Sequence, residues 1–515
     1  MTPRRERTVF VVLLLLHLLP LVLLPAFPSQ DGASHVEAAF NWRHYTDPDY
    51  PLLREYYIRN PTPEPNLLGH LVLIVLLEVV PPVIAEKVMV AVLVILLPLA
   101  ARYALRAVAP GAAWLAVLVF PFVYAWPMHM GFFNFCWGLP LFFFVVGYWI
   151  RHRSALGLRQ CIDIAALSLV LWSAHVVPLV AALAVVALWL AFERRGALRT
   201  AVAFAPAVLM LAAFFWRKQP VPSEAPPFGT LLWALVRLES LVSFHEAELV
   251  VSTLLVVLFA VLTAAGLRAA RASQERRPAD ALLWAAAVFT VLYFIAPRRL
   301  AGGAYVNERL ALFPFFAVLP WLAAREIPER LRRTAHAAGA ALAVAALGLH
   351  LWTGRLIRDQ VVELLSTAPQ LESQRTLLPL AFAPQGWGLS KAGPRVKVFL
   401  HAASYLAAER DVVNLANYEG NYVHFPLIFR GEVNPFVLLA REQGLEGDPP
   451  CADIEAYQQA TGKTIDYVLL WGMRRHMEDE PCTARLLEQL GRGYVTTFTS
   501  EPRRLVRLYA RRPDR

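Results

Sequence analysis

An acidic residue follows the first long apolar run of the sequence. The run covers residues 8–27, and Gln30-Asp31-Gly32 comes soon after it. If the run crosses a membrane, Asp31 lies at the membrane edge, where a carboxylate can accept a proton from a substrate held in the bilayer. A solvated loop aspartate or the first residue of a helix would show the same spacing. Spacing alone therefore leaves a chemical and a structural interpretation of Asp31 open.

A second polar cluster lies near residue 300, between two apolar runs. It contains Arg298, Arg299, Asn307, Glu308 and Arg309. Arg309 falls one turn into the second run, and a charged side chain near hydrocarbon is costly unless it is paired. We expect Arg309 either to pair with Glu308 or snorkel to the interface, or to bind a phosphate group through its planar guanidinium.

Histidines near the ends of apolar runs form a third group. His129, Asn134 and His175 lie on short predicted turns, and His35 lies in the polar segment after the first run. These side chains can hydrogen-bond a hydroxyl or phosphate of a substrate, although histidines at helix ends are more often satisfied locally. Three acids of the same polar segment favour a solvated face over a paired-acid or metal site: Asp47, Asp49 and Glu55.

The composition indicates which elements must position these residues. Of the 515 residues, 57% are apolar and 17% are charged, whereas soluble domains are about 45–50% apolar and about 25% charged. This excludes an ordinary soluble enzyme and a disordered protein, and it predicts a polytopic α-helical membrane protein. The 49 basic residues outnumber the 39 acidic residues, but they cluster between apolar runs. That placement indicates membrane topology and no nucleic-acid binding.

Known cofactor motifs are absent from the sequence. It contains no GxGxxG, Walker A, GxSxG or HExxH motif, and its four cysteines form neither a CxxC pair nor part of a metal-like histidine cluster. No cofactor is predicted with certainty. A divalent metal ion is compatible with the sequence, but no ligand set supports one.

The apolar runs and basic loops predict eleven crossings, with the N-terminus in the cytoplasm and the C-terminus outside. Residues 67–80 end at Pro81-Pro82 and predict a partly inserted segment. The loops 28–66 and 217–248 then lie outside, together with basic residues that break the topology rule and are candidates for binding an anion. The predicted crossings are residues 8–27, 83–105, 114–126, 132–150, 162–174, 178–192, 198–216, 249–267, 282–296, 305–324 and 335–352.

The first outer loop and the tail carry further local signals. Ser34 and Glu37 have capping-box spacing, which predicts a short interfacial helix beginning at Ser34. No long apolar run follows residue 353, so residues 354–515 predict a soluble outer-face α/β domain beside a membrane domain of residues 1–353. The tail's periodicity predicts strands at 395–400 and 464–471, helices at 402–410, 453–460 and 482–490, and a hairpin of 494–500 with 504–510.

The cysteines divide into two pairs by location. Cys451 and Cys482 are the two cysteines of the tail and would face an oxidising compartment. They can form a disulfide if their α-carbons come within about 7 Å. Cys136 and Cys161 fall in or beside predicted helices and are expected to stay free.

The layout resembles the GT-C superfamily of membrane glycosyltransferases, such as protein O-mannosyltransferases and aminoarabinose transferases. The resemblance rests on Gln30-Asp31-Gly32 after the first helix, the interfacial helix, the two long outer loops and the soluble tail. It implies transfer of a sugar from a polyprenyl-phosphate carrier to a glycan, lipid or protein acceptor, on the outer face of a bacterial-type plasma membrane. It also implies that Asp31 is the catalytic base.

The resemblance extends to the donor site. The residues that we expect to bind the donor are His35, His129, His175, Arg298, Arg299, Asn307 and Arg309. Many members of the superfamily carry another acid in the next outer turn, but this turn reads Pro127-Met128-His129-Met130-Gly131. The departure argues against a metal-dependent mechanism, and no metal ligand is predicted.

Two other functions fit a polytopic chain with a soluble tail. A transporter or lipid flippase would be expected to show paired charges deep in several helices, or two similar halves with broken helices, and neither is visible. A non-catalytic envelope scaffold would need no polar cavity. A cavity that holds both Asp31 and Arg309 therefore favours the transferase over the scaffold.

Overall fold

The computed structural model describes residues 2–62, 64–193, 196–218, 223–273, 277–388 and 395–513. Its larger part is a bundle of apolar helices, and a β-sheet with flanking helices lies near the C-terminus. The helices before the sheet are α1 Pro3–Leu16, α2 Leu19–Leu23, α3 Gly32–His44, α4 Pro51–Tyr56, α5 Leu68–Leu76, α6 Pro82–Val108, α7 Trp126–His129, α8 Phe133–His152, α9 Leu158–Ala174, α10 Val176–Glu193, α11 Ala197–Arg217, α12 Phe228–Val236, α13 Ala247–Ser273, α14 Ala281–Ile295, α15 Val306–Leu310, α16 Phe313–Ala323 and α17 Glu329–Leu365.

Nine helical segments within the described ranges are long and apolar enough to cross a membrane. Their outward faces expose large apolar side chains such as Val22, Leu209 and Val250. Contact with the acyl chains of a bilayer suits these side chains, whereas exposure of so large an apolar surface to water is unfavourable. The chain is therefore an integral membrane protein. The nine segments are Arg4–Leu23, Pro82–Val108, Phe133–Ala155, Val176–Glu193, Ala197–Arg217, Ala247–Ser273, Pro278–Ile295, Val306–Ala323 and Glu329–Gln370.

The eleven predicted crossings include two shorter helices besides these nine. One is α9 with 17 residues, and the other is the 3₁₀-helix Pro110–Phe122 with 13 residues. A 3₁₀-helix rises about 2.0 Å per residue and an α-helix about 1.5 Å, so each covers roughly 25 Å, close to the thickness of the hydrocarbon core. The partly inserted segment corresponds to α5, which has nine residues.

Helix α3 begins at Gly32, two residues before the predicted start. Asp31 occupies the N-cap position, but its side chain makes no capping hydrogen bond. Ser34 Oγ donates to Asn417 Oδ1 at 3.0 Å, and Glu37 Oε2 accepts from Asn414 Nδ2 at 2.9 Å. The predicted capping box is therefore wrong. Residues 32–41 of α3 are buried, partly against this later segment of the chain, and the helix does not lie exposed on an interface.

A five-stranded sheet organises residues 376–511, which we call the sheet domain. Its strand order is β5-β4-β7-β9-β8, parallel among β5, β4 and β7 and antiparallel from β7 onward. The nine strands of the chain are β1 Tyr57–Arg59, β2 Arg299–Leu300, β3 Gly303–Ala304, β4 Thr376–Ala381, β5 Val413–Asn414, β6 Leu427–Phe429, β7 Tyr467–Trp471, β8 Tyr494–Thr499 and β9 Val506–Arg511. The helices of the sheet domain are α18 Ser404–Arg410, α19 Pro435–Leu438, α20 Ile454–Thr461 and α21 Pro481–Gly493.

Several local predictions for the tail are confirmed. The hairpin of β8 and β9, the fully buried strand β7 and the helices α18, α20 and α21 all fall where the periodicity places them. The predicted strand at 395–400 is wrong, because its described residues form bends and turns with no ladder partner. Strand β4 lies inside the sheet between β5 and the central strand β7, and no strand was predicted there.

A strand pairing and a continuous helix are among the connections between the helical bundle and the sheet domain. Strand β1, from the first long loop, pairs with β6 of the sheet domain, and Tyr57 lies opposite Phe429. Helix α17 has 37 residues and continues from the bundle to the sheet domain, where Glu363 accepts hydrogen bonds from Ser500 Oγ and the backbone of Leu505. A domain boundary at residue 353 would fall inside this continuous helix.

The predicted disulfide between Cys451 and Cys482 is confirmed. The two α-carbons lie 5.6 Å apart. The bond joins the segment before α20 to the start of α21, which packs against β8. Cys136 and Cys161 are free, as expected.

Candidate functional site

A cavity of about 370 Å³ lies between the helical bundle and the sheet domain. It contains both Asp31 and Arg309. The bundle contributes most of its wall, and the sheet domain covers it with residues 400–446. Five of the eight residues that the sequence predicts as catalytic base or donor ligands line it: Asp31, His35, His175, Arg299 and Arg309.

A close approach of two loops positions Asp31. The backbone N–H groups of Gln30 and Asp31 donate to the carbonyls of His129 and Met130 at 2.8 and 3.2 Å. Gly131 has a φ of +82°, and a Cβ there would come within 2.7 Å of the Gly32 nitrogen. A glycine is therefore required at 131 to bring the two loops together. The turn of residues 127–131 therefore sets the backbone geometry around Asp31.

The side chain of Asp31 is buried and has few partners. Its Oδ1 accepts from Gln30 Nε2 at 3.1 Å and lies 3.7 Å from His401 Nε2. Burial raises the pKa of Asp31 to about 7, although the charge of His35 and the Gln30 hydrogen bond oppose the increase. Burial also lowers the pKa of His401 to about 3, so this imidazole is neutral near pH 7. Asp31 can therefore accept a proton near neutral pH.

Arg309 presents a cation to the same cavity. It lies on the short helix α15, and its Nη1 donates to the Ala304 carbonyl at 2.9 Å. The guanidinium lies over the rings of Phe132 and Phe135, with centroid distances of 4.4 and 5.8 Å. Among the described residues Arg309 forms no ion pair, and its Nε has no hydrogen-bond partner. A half-buried guanidinium with an unpartnered Nε is suited to an incoming anion.

Lys218 and Glu64 form an ion pair on the cavity wall, in contrast to Arg309. Lys218 Nζ lies 2.8 Å from Glu64 Oε2. Lys218 is one of the basic residues that break the topology rule, and both side chains line the cavity. Its charge is already balanced, unlike that of Arg309.

The other candidates on the wall have local partners. His175 Nδ1 accepts from the backbone of Val177 at 3.0 Å, at the start of α10. Asn134 donates to the Asn66 carbonyl at 2.7 Å and accepts from the backbone of Gly69 at 2.6 Å. Both side chains thus fix neighbouring chain segments as well as facing the cavity.

Three candidates lie outside the cavity lining. His129 is buried, with Nδ1 2.9 Å from the Pro28 carbonyl and its ring stacked on Phe27. Asn307 donates to the carbonyls of Tyr293 and Ala296 at 2.8 and 3.0 Å. The guanidinium of Arg298 lies over the ring of Tyr305, 5.7 Å from its centroid. The contacts of His129 and Asn307 are those of structural residues.

The sheet domain adds polar residues that sequence reasoning missed. Glu446 lines the cavity with a buried oxygen that lacks a hydrogen-bond partner among the described residues, and burial raises its pKa. These residues lie more than 350 positions from Asp31, in loops without a recognisable motif. The sheet-domain residues of the lining are Leu400, His401, Tyr418, Tyr422, His424, Phe425 and Glu446.

Behind this wall Glu419 meets two imidazoles. Its oxygens lie 2.6 Å from His35 Nδ1 and 2.9 Å from His70 Nε2. Burial alone would raise the pKa of Glu419, but the two histidines outweigh it and hold the pKa at about 2. For His35, burial acts to lower the pKa, but Glu419 raises it overall.

Comparison with known proteins gives a match at the level of structure. No protein-family model matches the chain, and no curated protein matches it. The crystal structure of ArnT from Cupriavidus metallidurans in the apo state is similar with a TM-score of 0.54 and 12% identity, covering 98% of this chain and 99% of that one. The structure of the same protein bound to undecaprenyl phosphate gives a TM-score of 0.57 and 12% identity, covering all of both chains. The present chain therefore has the same fold as ArnT, which confirms the predicted helical membrane fold with a C-terminal α/β domain.

Proposed function

We propose that this protein is a glycosyltransferase that moves a sugar from a polyprenyl-phosphate carrier to an acceptor at the outer face of the membrane. The observation that carries the proposal is the shared cavity. The buried carboxylate of Asp31 and the guanidinium of Arg309, which forms no ion pair within the described part of the chain, both face one space. The fold agrees with this proposal, because the similar ArnT structure binds undecaprenyl phosphate.

The chemistry follows from the two charged groups. A hydroxyl of the acceptor attacks the anomeric carbon of the sugar while Asp31 takes up the hydroxyl proton. The bond between that carbon and the phosphate oxygen breaks, and polyprenyl phosphate leaves with the electron pair. Base catalysis of this kind contributes about 10²- to 10⁴-fold, and a cation that stabilises the leaving phosphate acts on the same step.

Arg309 is the proposed ligand of that phosphate. Its aromatic neighbours Phe132 and Phe135 exclude water from one side of the guanidinium, and electrostatic interactions are stronger where water is excluded. Arg299 lies at the exposed rim of the cavity and His175 lies deeper. We assign both to binding of the donor.

The orientation in the membrane belongs to the same proposal. The basic clusters between predicted crossings favour a cytoplasmic N-terminus, which puts Asp31 and the sheet domain on the outer side. The disulfide of Cys451 and Cys482 supports this orientation, because disulfides persist in oxidising compartments. Residues 1–353 would then form the membrane domain, and residues 354–515 the outer domain.

A direct transfer assay tests the proposed function. Purified full-length protein in detergent is incubated with radiolabelled polyprenyl-phosphate sugars and an envelope extract as acceptor. We expect the label to move to an acceptor and unlabelled polyprenyl phosphate to appear in equal amount. The proposal fails if no donor in a panel of hexose and pentose derivatives is consumed, while a fluorescent polyprenyl phosphate still binds the protein.

A further inference from the structure

Three buried side chains from separate parts of the chain converge beside the cavity, and one of them, His35, lines it. His35 comes from α3, His70 from α5 and Glu419 from the 3₁₀-helix Tyr418–Asn421 of the sheet domain. One nitrogen of each histidine and one oxygen of the glutamate all lie within 4.8 Å of one another. The exposed fractions of the three side chains are 9%, 1% and 1%.

We propose that His35, His70 and Glu419 bind one divalent transition-metal ion, with Zn²⁺ as the ion best suited to the site. Two imidazoles and a carboxylate are a ligand set that zinc accepts in proteins. Donor atoms about 2.0–2.1 Å from a tetrahedral zinc ion lie roughly 3.3 Å apart. His35 and His70 approach different oxygens of Glu419 at 2.6 and 2.9 Å, and one donor atom from each of the three residues lies within 4.8 Å of the others.

The contact between His35 and Glu419 favours a cation over a simple hydrogen bond. Nδ1 of His35 and Oε1 of Glu419 are 2.6 Å apart, yet neither atom has a hydrogen-bond partner of acceptable geometry among the described residues. Two buried atoms with lone pairs at this distance repel each other unless a cation, either a proton or a metal ion, lies at the contact. A metal ion between them would satisfy both atoms, because the ion accepts a lone pair from each.

The surroundings hold the three ligands in place. Asn417 Oδ1 accepts from the backbone of Glu419 at 3.1 Å and from Ser34 Oγ at 3.0 Å. Asp31 and Glu37 lie near enough to interact electrostatically with the trio, and they favour a cation there.

Such an ion would connect the helical bundle to the sheet domain. Two ligands belong to the bundle and one to the sheet domain, and His35 lies one helical turn after Asp31. The ion would therefore fix the sheet domain over the cavity and fix the start of α3. This inference does not depend on glycosyl transfer, because binding is measured directly.

Metal content of the full-length protein tests the site. The purified protein is treated with EDTA, incubated with ZnCl₂, desalted and analysed by mass spectrometry of the elements. We expect about one zinc ion per chain and a higher thermal midpoint than that of the metal-free protein. Wild-type protein that retains no zinc after desalting, or gains no thermal stability from it, overturns the proposal without any variant.

Variants locate the ion. His70→Gln and Glu419→Gln keep hydrogen-bonding groups, and we expect each to weaken zinc binding at least about tenfold. The control is His424→Ala, which removes a neighbouring imidazole of the cavity that is outside the trio. It should retain zinc as the wild type does. Undiminished binding in both ligand variants, or equal loss in His424→Ala, would contradict this assignment.

Discussion

The cavity wall and the cluster of His35, His70 and Glu419 beside it, which we call the junction, both contain charged residues. The two regions differ in how those charges are paired. On the wall, Asp31 accepts one side-chain hydrogen bond, and Arg309 has no ion pair among the described residues. At the junction, Glu419 places its two oxygens 2.6 and 2.9 Å from two imidazoles. Asp31 and Glu419 are both buried, at 7% and 1% exposure, so pairing is the difference between the two carboxylates.

This difference shows in the protonation of the two carboxyl groups. Burial raises the pKa of Asp31 to about 7, whereas two histidines outweigh burial and hold the pKa of Glu419 at about 2. A carboxylate with an ordinary or low pKa is a poor base near neutral pH, and a well-paired one stabilises the fold. Asp31 is thus suited to accepting a proton, and Glu419 is suited to holding two parts of the chain together. Replacing each acid with its amide should therefore lower turnover at Asp31 and stability at Glu419.

The largest expected effect on turnover is that of Asp31→Asn. The amide keeps the size of the side chain but cannot accept the proton, so transfer should fall about 10²- to 10⁴-fold. Stability should be unchanged or slightly higher, since burial disfavours the charge that the substitution removes. Initial transfer rates and thermal midpoints measure the two outcomes.

Asp49→Asn is the matched control for Asp31. It makes the same change at an exposed carboxylate of the same loop, and its transfer rate should equal that of the wild type. If Asp31→Asn also retains wild-type turnover, Asp31 is a structural residue and the proposed mechanism is wrong.

Glu419→Gln should instead destabilise the fold. Removing one charge of a buried pair typically costs about 3–5 kcal/mol, because its partners stay buried. We expect a lower thermal midpoint, measured in EDTA so that metal binding does not contribute. Glu432→Gln, at a glutamate whose side chain is 69% exposed, is the control. If Glu419→Gln and Glu432→Gln have equal thermal midpoints, Glu419 does not stabilise the junction, and the proposed contrast with Asp31 is wrong.

Arg309→Gln should weaken binding of the carrier. A hydrogen bond to a charged group contributes about 1.5–3 kcal/mol, so affinity for polyprenyl phosphate should fall about 10- to 100-fold. Arg309→Lys keeps the charge without the planar pair of donors and should recover part of the affinity. Fluorescence binding of a labelled polyprenyl phosphate measures both variants. Unchanged affinity in Arg309→Gln would show that the phosphate binds elsewhere.

The sequence predicted the wall better than the junction for a physical reason. Asp31 follows an apolar run, and Arg309 is a charge where the topology rule expects none, so each carries a local signal. His70 and Glu419 are brought together only by the fold, since 349 positions separate them. No periodicity in either segment indicates that contact.

A misleading local signal accompanies strand β4, which was not predicted. Strand β4 contains Pro379, and a proline argues against a central strand because it cannot donate to a ladder. In the structure β5 pairs only with Thr376 and Leu377, so at Pro379 the strand has β7 alone as its neighbour. The hairpin of β8 and β9 was predictable because its pairing is local.

Arg298 and Arg299 are neighbours in the sequence, and substituting them should give the smallest effect on turnover. Arg299 lines the cavity, whereas Arg298 lies outside the lining with its guanidinium over Tyr305. Arg299→Gln should lower kcat/KM about two- to fivefold at low salt and less at high salt, because exposed charges are screened.

Arg298→Gln removes the same net charge and should leave kcat/KM unchanged. Since both side chains are exposed, neither variant should alter the fold. Equal losses in the two variants would mean that the donor responds to overall charge at this rim, and the assignment of Arg299 to the donor site would then be wrong.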